Sequence, residues 1–189
     1  MRALLRPALS LLLVMTILTG VVYPLVVTLV GRGLFPHRAG GSLVERDGRV
    51  VGSELVGQAF HAPRYLWGRP SATTPAYDAA ASSASNLGPT NPALGEAVAA
   101  RVRALRAADP GNTDAIPVDL VTAPASGLDP HVSPAAARYQ AGRIARARGL
   151  PLERVVALIE RFVEGRDLGA LGEPRVNVLL VNLALDELR

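Results

Sequence analysis

The chain has no cysteine among its 189 residues. Disulfides, thiolate metal sites and cysteine nucleophiles are therefore excluded. The absence does not choose a compartment, because a reduced cytosol and an oxidising exterior both tolerate such a chain. Lysine is also missing, so all 20 basic residues are arginine, which reads as coding bias before chemistry. Aromatics make up only 4%, and the core must be built from Val, Leu, Ile and Ala. The net charge of +4 comes without a Lys/Arg run outside Arg138–Arg148 and without an RNA-binding aromatic motif. Nucleic acid is not expected as a partner.

One absence is local. No charged residue occurs between Pro7 and Val30, PALSLLLVMTILTGVVYPLVVTLV. A membrane-spanning helix needs ~20 mostly apolar residues, and this run is long enough. A cleaved signal peptide would carry an apolar stretch of ~7–15 residues followed by an A-x-A site. Here GRGLFPHRAGG comes next instead, so an uncleaved anchor is expected. Pro24 removes a backbone donor late in the helix, a loss that Ser or Thr hydroxyls or a neighbouring protein can offset. Thr16, Thr19, Gly20 and Thr28 suit contact with another helix. Arginines flank both sides, so charge alone does not orient the span. The short leading tail favours a cytoplasmic N-terminus and a domain outside. The expected division is a tail over 1–8, a transmembrane helix over 9–30, a linker over 31–41 and one domain over 42–189.

That domain is long enough for an ordinary core. Asp47-Gly48 between apolar stretches predicts a β-hairpin over Ser42–Ser53. ELVGQAF continues the second strand or starts a short helix. Pro63–Pro92 is rich in Pro, Ser, Asn and Gly and lacks periodicity, yet it carries Trp67, Tyr65 and Tyr77. Aromatics argue against disorder, so an ordered, packed surface loop is expected. Asn91 and Pro92 start a helix whose stripe is Leu94, Val98, Val102 and Leu105. IPVDLVT at 116–122 reads as a strand. Ser133 and Pro134 start a helix that Gly149 ends. Pro151 starts another, with Leu152, Val155, Ile159 and Phe162 as its buried stripe. Val176, Val178 and Leu180 alternate around Asn177 as a strand would, and LALDEL closes as a helical turn. Interleaved strands and helices give a mixed α/β domain with a small sheet and no internal repeat.

SGLDPHVSPAAARYQ, Ser126–Gln140, holds the residue types of a hydrolase within a few positions. A Ser-His-Asp triad works by geometry. Asp129, His131 and Ser133 are too close in sequence, and Pro130 and Pro134 stiffen the turn between them. No G-x-S-x-G elbow occurs. His37, His61 and His131 are scattered and no H-E-x-x-H is present, so no metal is expected. Asp129 fits a turn before proline, and Ser133 fits an N-cap worth ~1 kcal/mol. Gln140 is the least explained residue: it either points to solvent or reads a polar partner or ligand. The arginines 138, 143, 146 and 148 form a basic face that is solvated or touches phosphates. No phosphate-cradling G-x-x-x-x-G-K-[ST] or G-x-G-x-x-G motif accompanies them. The D-K-T-G nucleophile motif of P-type pumps is absent too, so the chain is not the ATP-hydrolysing component of one.

WGRPSAT at Trp67–Thr73, SNLGPTNP at Ser85–Pro92, SGLDPHVSPAAARYQ at Ser126–Gln140 and GEPRVNVLLVNLALD at Gly172–Asp186 occur in this order. Together with the Tyr23-Pro24 near the end of the apolar span, they strongly resemble the KdpC family, whose members belong to the Kdp potassium-transporting P-type ATPase. The resemblance covers nearly the whole chain. Val132 stands where the family often has another β-branched residue, and the Ala-rich stretch before Ser85 replaces a more Gly/Ser-rich one.

The resemblance implies a non-catalytic accessory subunit with one N-terminal membrane helix. It implies two partners, a channel-like potassium subunit and an ATP-hydrolysing P-type subunit, besides the lipid bilayer of the inner membrane. It also implies a catalytic chaperone that raises the ATP affinity of the hydrolysing subunit. No cofactor of its own is implied: ATP is met through the complex, and a partner subunit handles K⁺. Under this view Trp67, Arg69, Asn86, Asn91, Asp129, His131 and Ser133 are candidates for docking, and Gln140 is the candidate nucleotide contact. A domain outside the membrane cannot touch cytosolic ATP, so an affinity effect would have to pass through the membrane subunits. The second reading is a membrane-anchored extracytoplasmic hydrolase using Ser133 and His131, which predicts activity in the isolated domain.

Overall fold

The computed structural model describes residues 2–188 and divides the chain into two compact units, meeting between Leu43 and Val44. The first unit is helical: α1 (Arg2–Ile17), a π-helical turn (Leu18–Val22), α2 (Tyr23–Leu34) and a short α3 (Pro36–Ala39). Residues Leu4–Leu34 form one stretch of helix, long and apolar enough to cross a membrane by length and composition. The run from Pro7 to Val30 is uncharged and aliphatic, and as a helix it pairs its backbone groups internally apart from the donor missing at Pro24.

Pro24 lies at the start of α2, directly after the π turn. Proline lacks an N–H and its ring crowds the carbonyl four residues back, so the regular ladder cannot run through it. The wider π turn absorbs the mismatch. Within it the Tyr23 N–H donates to the Leu18 carbonyl. The Thr19 hydroxyl donates to the Met15 carbonyl at 2.7 Å, a bond within the helix that does not reach the carbonyls left open by Pro24.

The second unit is mixed. Strands β1 (Leu43–Arg46) and β2 (Arg49–Ser53) pair as a hairpin. Asp47 and Gly48 both have positive φ, at 52° and 73°, as a type I′ turn requires. A three-stranded antiparallel sheet has the order β3 (His131–Val132), β5 (Arg175–Asn177), β4 (Val163–Glu164). Its register pairs His131 with Asn177, and Val176 with both Val132 and Val163. Four helices complete the unit: α4 (Pro92–Ala108), α5 (Pro134–Arg148), α6 (Leu152–Arg161) and α7 (Val178–Glu187).

Helix boundaries follow the cap chemistry. Asn91 Oδ1 accepts from Ala93 N at 3.0 Å at the start of α4. Ser133 Oγ accepts from Ala136 N at 3.0 Å at the start of α5, which ends on Gly149 in the left-handed conformation. The core lies among α5, α6, α7 and the sheet, with Ala136, Ile144, Val155, Ile159, Val176, Val181 and Leu185 fully buried. It is aliphatic, as the shortage of aromatics requires.

Four local expectations differ. Residues 116–122 are not a strand; Val118–Leu120 form a single 3₁₀ turn. Pro117 removes a ladder donor, and the Thr122 N–H and hydroxyl both turn back onto the Val118 carbonyl. Residues 54–60 neither extend β2 nor form a helix. The alternating run at 176–180 is a strand only to Asn177, whose Oδ1 accepts from Leu180 N at 3.2 Å and starts α7. On α6, Leu152 is exposed while Leu158 is buried in its stead, because Leu158 lies beside Val155 on the same helical face.

Candidate functional site

The long segment between β2 and α4 has no regular secondary structure, yet side chains from two helices hold it. The amide of Asn182, on α7, accepts from Leu66 N at 2.7 Å and donates to Leu66 O at 2.9 Å. The amide of Gln140, on α5, accepts from Trp67 N at 2.9 Å and donates to Trp67 O at 3.0 Å. Two successive residues thus each have their backbone N–H and C=O paired with one side-chain amide, in the manner of a strand pairing with its neighbour. Buried backbone groups need such partners.

Arginines complete this latch. Arg143 donates to Pro63 O at 2.5 Å and to Tyr65 O at 3.1 Å, and to Gln140 Oε1 at 2.7 Å. Its guanidinium lies 4.1 Å from the centre of the Trp67 ring. Burial lowers Arg143 to about 10, with Asp109 opposing and Arg146 assisting. Arg148 donates to Arg64 O and Leu185 O, each at 2.7 Å, and pairs with Asp186 at 2.9 Å. The Tyr65 hydroxyl donates to Asp186 at 3.0 Å. Burial acts to raise the Asp186 carboxyl, but the bonds from Arg148 and Tyr65 prevail and hold it below the usual carboxylate range.

The arginines of α5 divide into two exposed ones, Arg138 and Arg146, and two turned into the fold, Arg143 and Arg148. Arg138 pairs with Glu160 at 2.5 Å, Arg146 pairs with Asp109, and Arg143 and Arg148 point inward to carbonyls. Gln140 neither points to solvent nor has spare hydrogen-bonding capacity. It is 1% exposed, and its remaining amide proton reaches Ala136 O at 3.3 Å.

Next to the latch lies an open cleft of about 500 Å³. Its lining includes Arg69, Asp119, Asp129, His131, Ser133 and Arg175. Asp129 accepts from His131 N at 2.9 Å and from Arg69 at 3.1 Å, while His131 Nδ1 stands 3.5 Å from the same carboxylate. Burial would raise the Asp129 carboxyl; its bonds from His131 and Arg69 outweigh this and leave it depressed. Arg69 Nε is buried without an acceptor among the described residues. Asp119 accepts from Ser133 N at 2.7 Å, and Ser133 Oγ is taken by the helix cap. None of the hydrogen bonds among the described residues links His131 to Ser133. Asp119 stands near these residues because of the 3₁₀ turn that replaces the expected strand.

Of the candidate docking residues, the cleft collects Arg69, Asp129, His131 and Ser133 and leaves out the rest. Trp67 lines a smaller apolar cavity of about 280 Å³ with Phe60, Tyr77, Leu105 and Arg101. Burial raises the Tyr77 hydroxyl and lowers Arg101 there. Asn91 is the α4 cap, and Asn86 is exposed on the loop with φ of +50°.

Three of the four sequence motifs meet. Ser71 Oγ donates to Gly127 O at 2.7 Å, Gln140 holds Trp67, and Val178 N donates to Pro130 O at 3.0 Å. Direct comparison decides the family to which these motifs point. The family model described as "K+-transporting ATPase, c chain" matches residues 5–187. The chain belongs to the KdpC family. Proteins named potassium-transporting ATPase KdpC subunit are similar over their full length. The one from Methylococcus capsulatus is 65% identical over 97% of both chains. The one from Sorangium cellulosum is 64% identical over 100% of both, and that from Polaromonas naphthalenivorans 63% over 100% of this chain and 97% of its own.

Residue-type reasoning missed most of the latch in this KdpC-family chain. Asn182 is a lone amide inside VLLVNLAL, which was a usable signal, since a buried amide in an apolar helix needs a partner. Arg143, Arg148 and Asp186 gave no comparable signal, because charged residues on helices usually face solvent.

Proposed function

We propose that this KdpC-family chain is a non-catalytic accessory subunit of an ATP-driven potassium-import complex in the inner membrane. Residues 4–34 anchor it, the N-terminus is cytoplasmic and the domain lies outside. It assembles with a channel-like potassium subunit and an ATP-hydrolysing subunit, which supply ion handling and ATP chemistry. The loop from Pro63 to Pro92 and the Asp129–Ser133 turn form its docking surface. Any rise in ATP affinity of the hydrolysing subunit is then an indirect effect of assembly.

One observation carries the non-catalytic part. The Ser, Asp and Gln side chains of residues 129–140 are engaged within the fold: Ser133 Oγ caps α5, Asp129 binds His131 N and the Arg69 guanidinium, and Gln140 binds the Trp67 backbone. A nucleophile committed to an N-cap and without a base on its hydroxyl lacks the geometry of a triad. The same bonds favour a structural role for Gln140 over a nucleotide contact.

Two measurements test the proposal. In Ala81→Cys, the only thiol of the chain sits on the exposed loop. A membrane-impermeant maleimide should label it in intact cells; labelling only after lysis contradicts the orientation. Asn86→Ala and His131→Ala should lower the recovery of assembled complex without lowering the melting temperature of the domain. Full assembly and full activity in both variants contradict the assigned surface.

A further inference from the structure

Between β4 and β5 the chain makes a short protrusion, residues 165–174. At its tip Leu168 and Gly169 both have positive φ, at +54° and +76°, and Ala170 N donates to Asp167 O at 3.2 Å. A turn with two such residues is served by Asn-Gly or Asp-Gly. Leucine is disfavoured there, because its Cβ crowds the backbone and its side chain offers no local hydrogen bond. Nor does burial compensate, since Leu168 is 94% exposed. Leu171 beside it is 61% exposed, and Ala170 is exposed as well. The fold itself gains nothing from leucine at this position.

The tip is nonetheless braced. Asp167 and Leu171 exchange both backbone hydrogen bonds, each at 2.9 Å. Arg166 grips both oxygens of Glu173, at 3.0 and 2.8 Å. Arg175 pairs with Glu164 at 2.9 Å and reaches Asp167 at 3.6 Å. A disfavoured, solvent-exposed leucine on a braced stalk has the form of a preorganised apolar anchor.

We propose that Leu168 and Leu171 insert into an apolar socket on another protein subunit of the complex; this rests on the accessory-subunit reading of the chain. The charge of the stalk selects that occupant over a lipid surface. From Glu164 to Arg175 the basic residues Arg166 and Arg175 stand against Glu164, Asp167 and Glu173, so the stalk has no basic excess, and its charges are tied to one another. Binding to an anionic membrane surface uses an unpaired basic excess, which is missing here. A rim of mutually paired charges around a small apolar tip is the surface a protein pocket accepts.

The test uses the full chain in nanodiscs with its partner subunits. Leu168→Asn keeps a residue suited to left-handed backbone and removes the anchor. It should leave the melting temperature of the chain unchanged or raise it, and weaken association about ten- to hundredfold, the effect of exposing one buried leucine. An environment-sensitive dye on Ala170→Cys should shift to the blue when the partner subunits are added. Unchanged association of Leu168→Asn beside an associating parent chain overturns the anchor alone. Failure of the parent chain to associate overturns the accessory-subunit reading and the anchor with it. A blue shift in nanodiscs without partners assigns the tip to lipid, and one that follows the concentration of this chain assigns it to self-association; either overturns the protein socket.

Discussion

Gln140 takes both backbone hydrogen-bonding groups of Trp67 with a single side-chain amide. A residue that looked like a free polar group on a helix is instead the clasp between α5 and the long loop. Asn182 does the same for Leu66, one residue earlier, from α7. The aromatic-bearing loop is thereby fixed by side chains rather than by a strand. Its shape survives only while both helices are in place.

Gln140→Ala should destabilise the domain by about 1–3 kcal/mol per orphaned group, because the Trp67 N–H and C=O stay buried without partners. Urea unfolding followed by fluorescence of Trp67, the chain's one tryptophan, reads this directly. Asn182→Ala should cost a similar amount. The two changes should be non-additive by at least ~0.5 kcal/mol, since they release the same segment.

Ser133→Ala should lower stability by about 1 kcal/mol, the worth of an N-cap. The isolated chain should show no hydrolytic turnover in either form. Turnover by the isolated chain that Ser133→Ala abolishes with unchanged stability would restore Ser133 as a nucleophile.

The two depressed carboxyls, Asp129 and Asp186, set an acid response. A folded pKa below the unfolded value of ~3.9 means that the unfolded chain binds protons first. Their contribution is present at neutral pH and is lost as pH falls through the folded values. The unfolding midpoint should therefore drop on acidification below about pH 4. Asp186→Asn should be less stable at neutral pH and show a shallower drop. An unchanged acid slope in that variant would remove Asp186 from the latch.

Gly127→Ala should disturb the long Pro63–Pro92 loop from its far side. Gly127 has φ of +67°, and a Cβ there would stand 2.6 Å from Ser83 O. Backbone strain and the clash act together. The variant should lose the Ser71 bond to Gly127 O and expose residues 71–83 to limited proteolysis. Parent-like protease resistance would show that this loop is held elsewhere.

The capped helices were legible in the sequence because their signals are local. Asn91-Pro92, Ser133-Pro134 and Gly149 each act through neighbours in the chain: α4 begins on the first pair, and α5 begins on the second and ends on Gly149. The Asp47-Gly48 turn is of the same kind. The segment 116–122 misled because apolar β-branched composition also suits a turn packed under a loop, where Pro117 and Thr122 decide the backbone. At 176–180 the alternation is real for the strand, but the cap at Asn177 overrides it from Val178 onward. The latch was illegible for a different reason. Gln140 and Trp67 are 73 residues apart, and only tertiary packing brings an amide onto these backbone groups. The motif resemblance found both segments without saying that one holds the other.

The central claim is that this chain contributes assembly rather than chemistry. The most direct test is potassium-stimulated ATP hydrolysis by the partner subunits with and without this chain, alongside ATP turnover by the chain alone. The account predicts an incomplete, poorly active complex without it, restored activity and tighter apparent ATP binding with it, and no turnover by the isolated chain. Hydrolysis by the isolated chain, or a complex indifferent to its removal, would contradict the account.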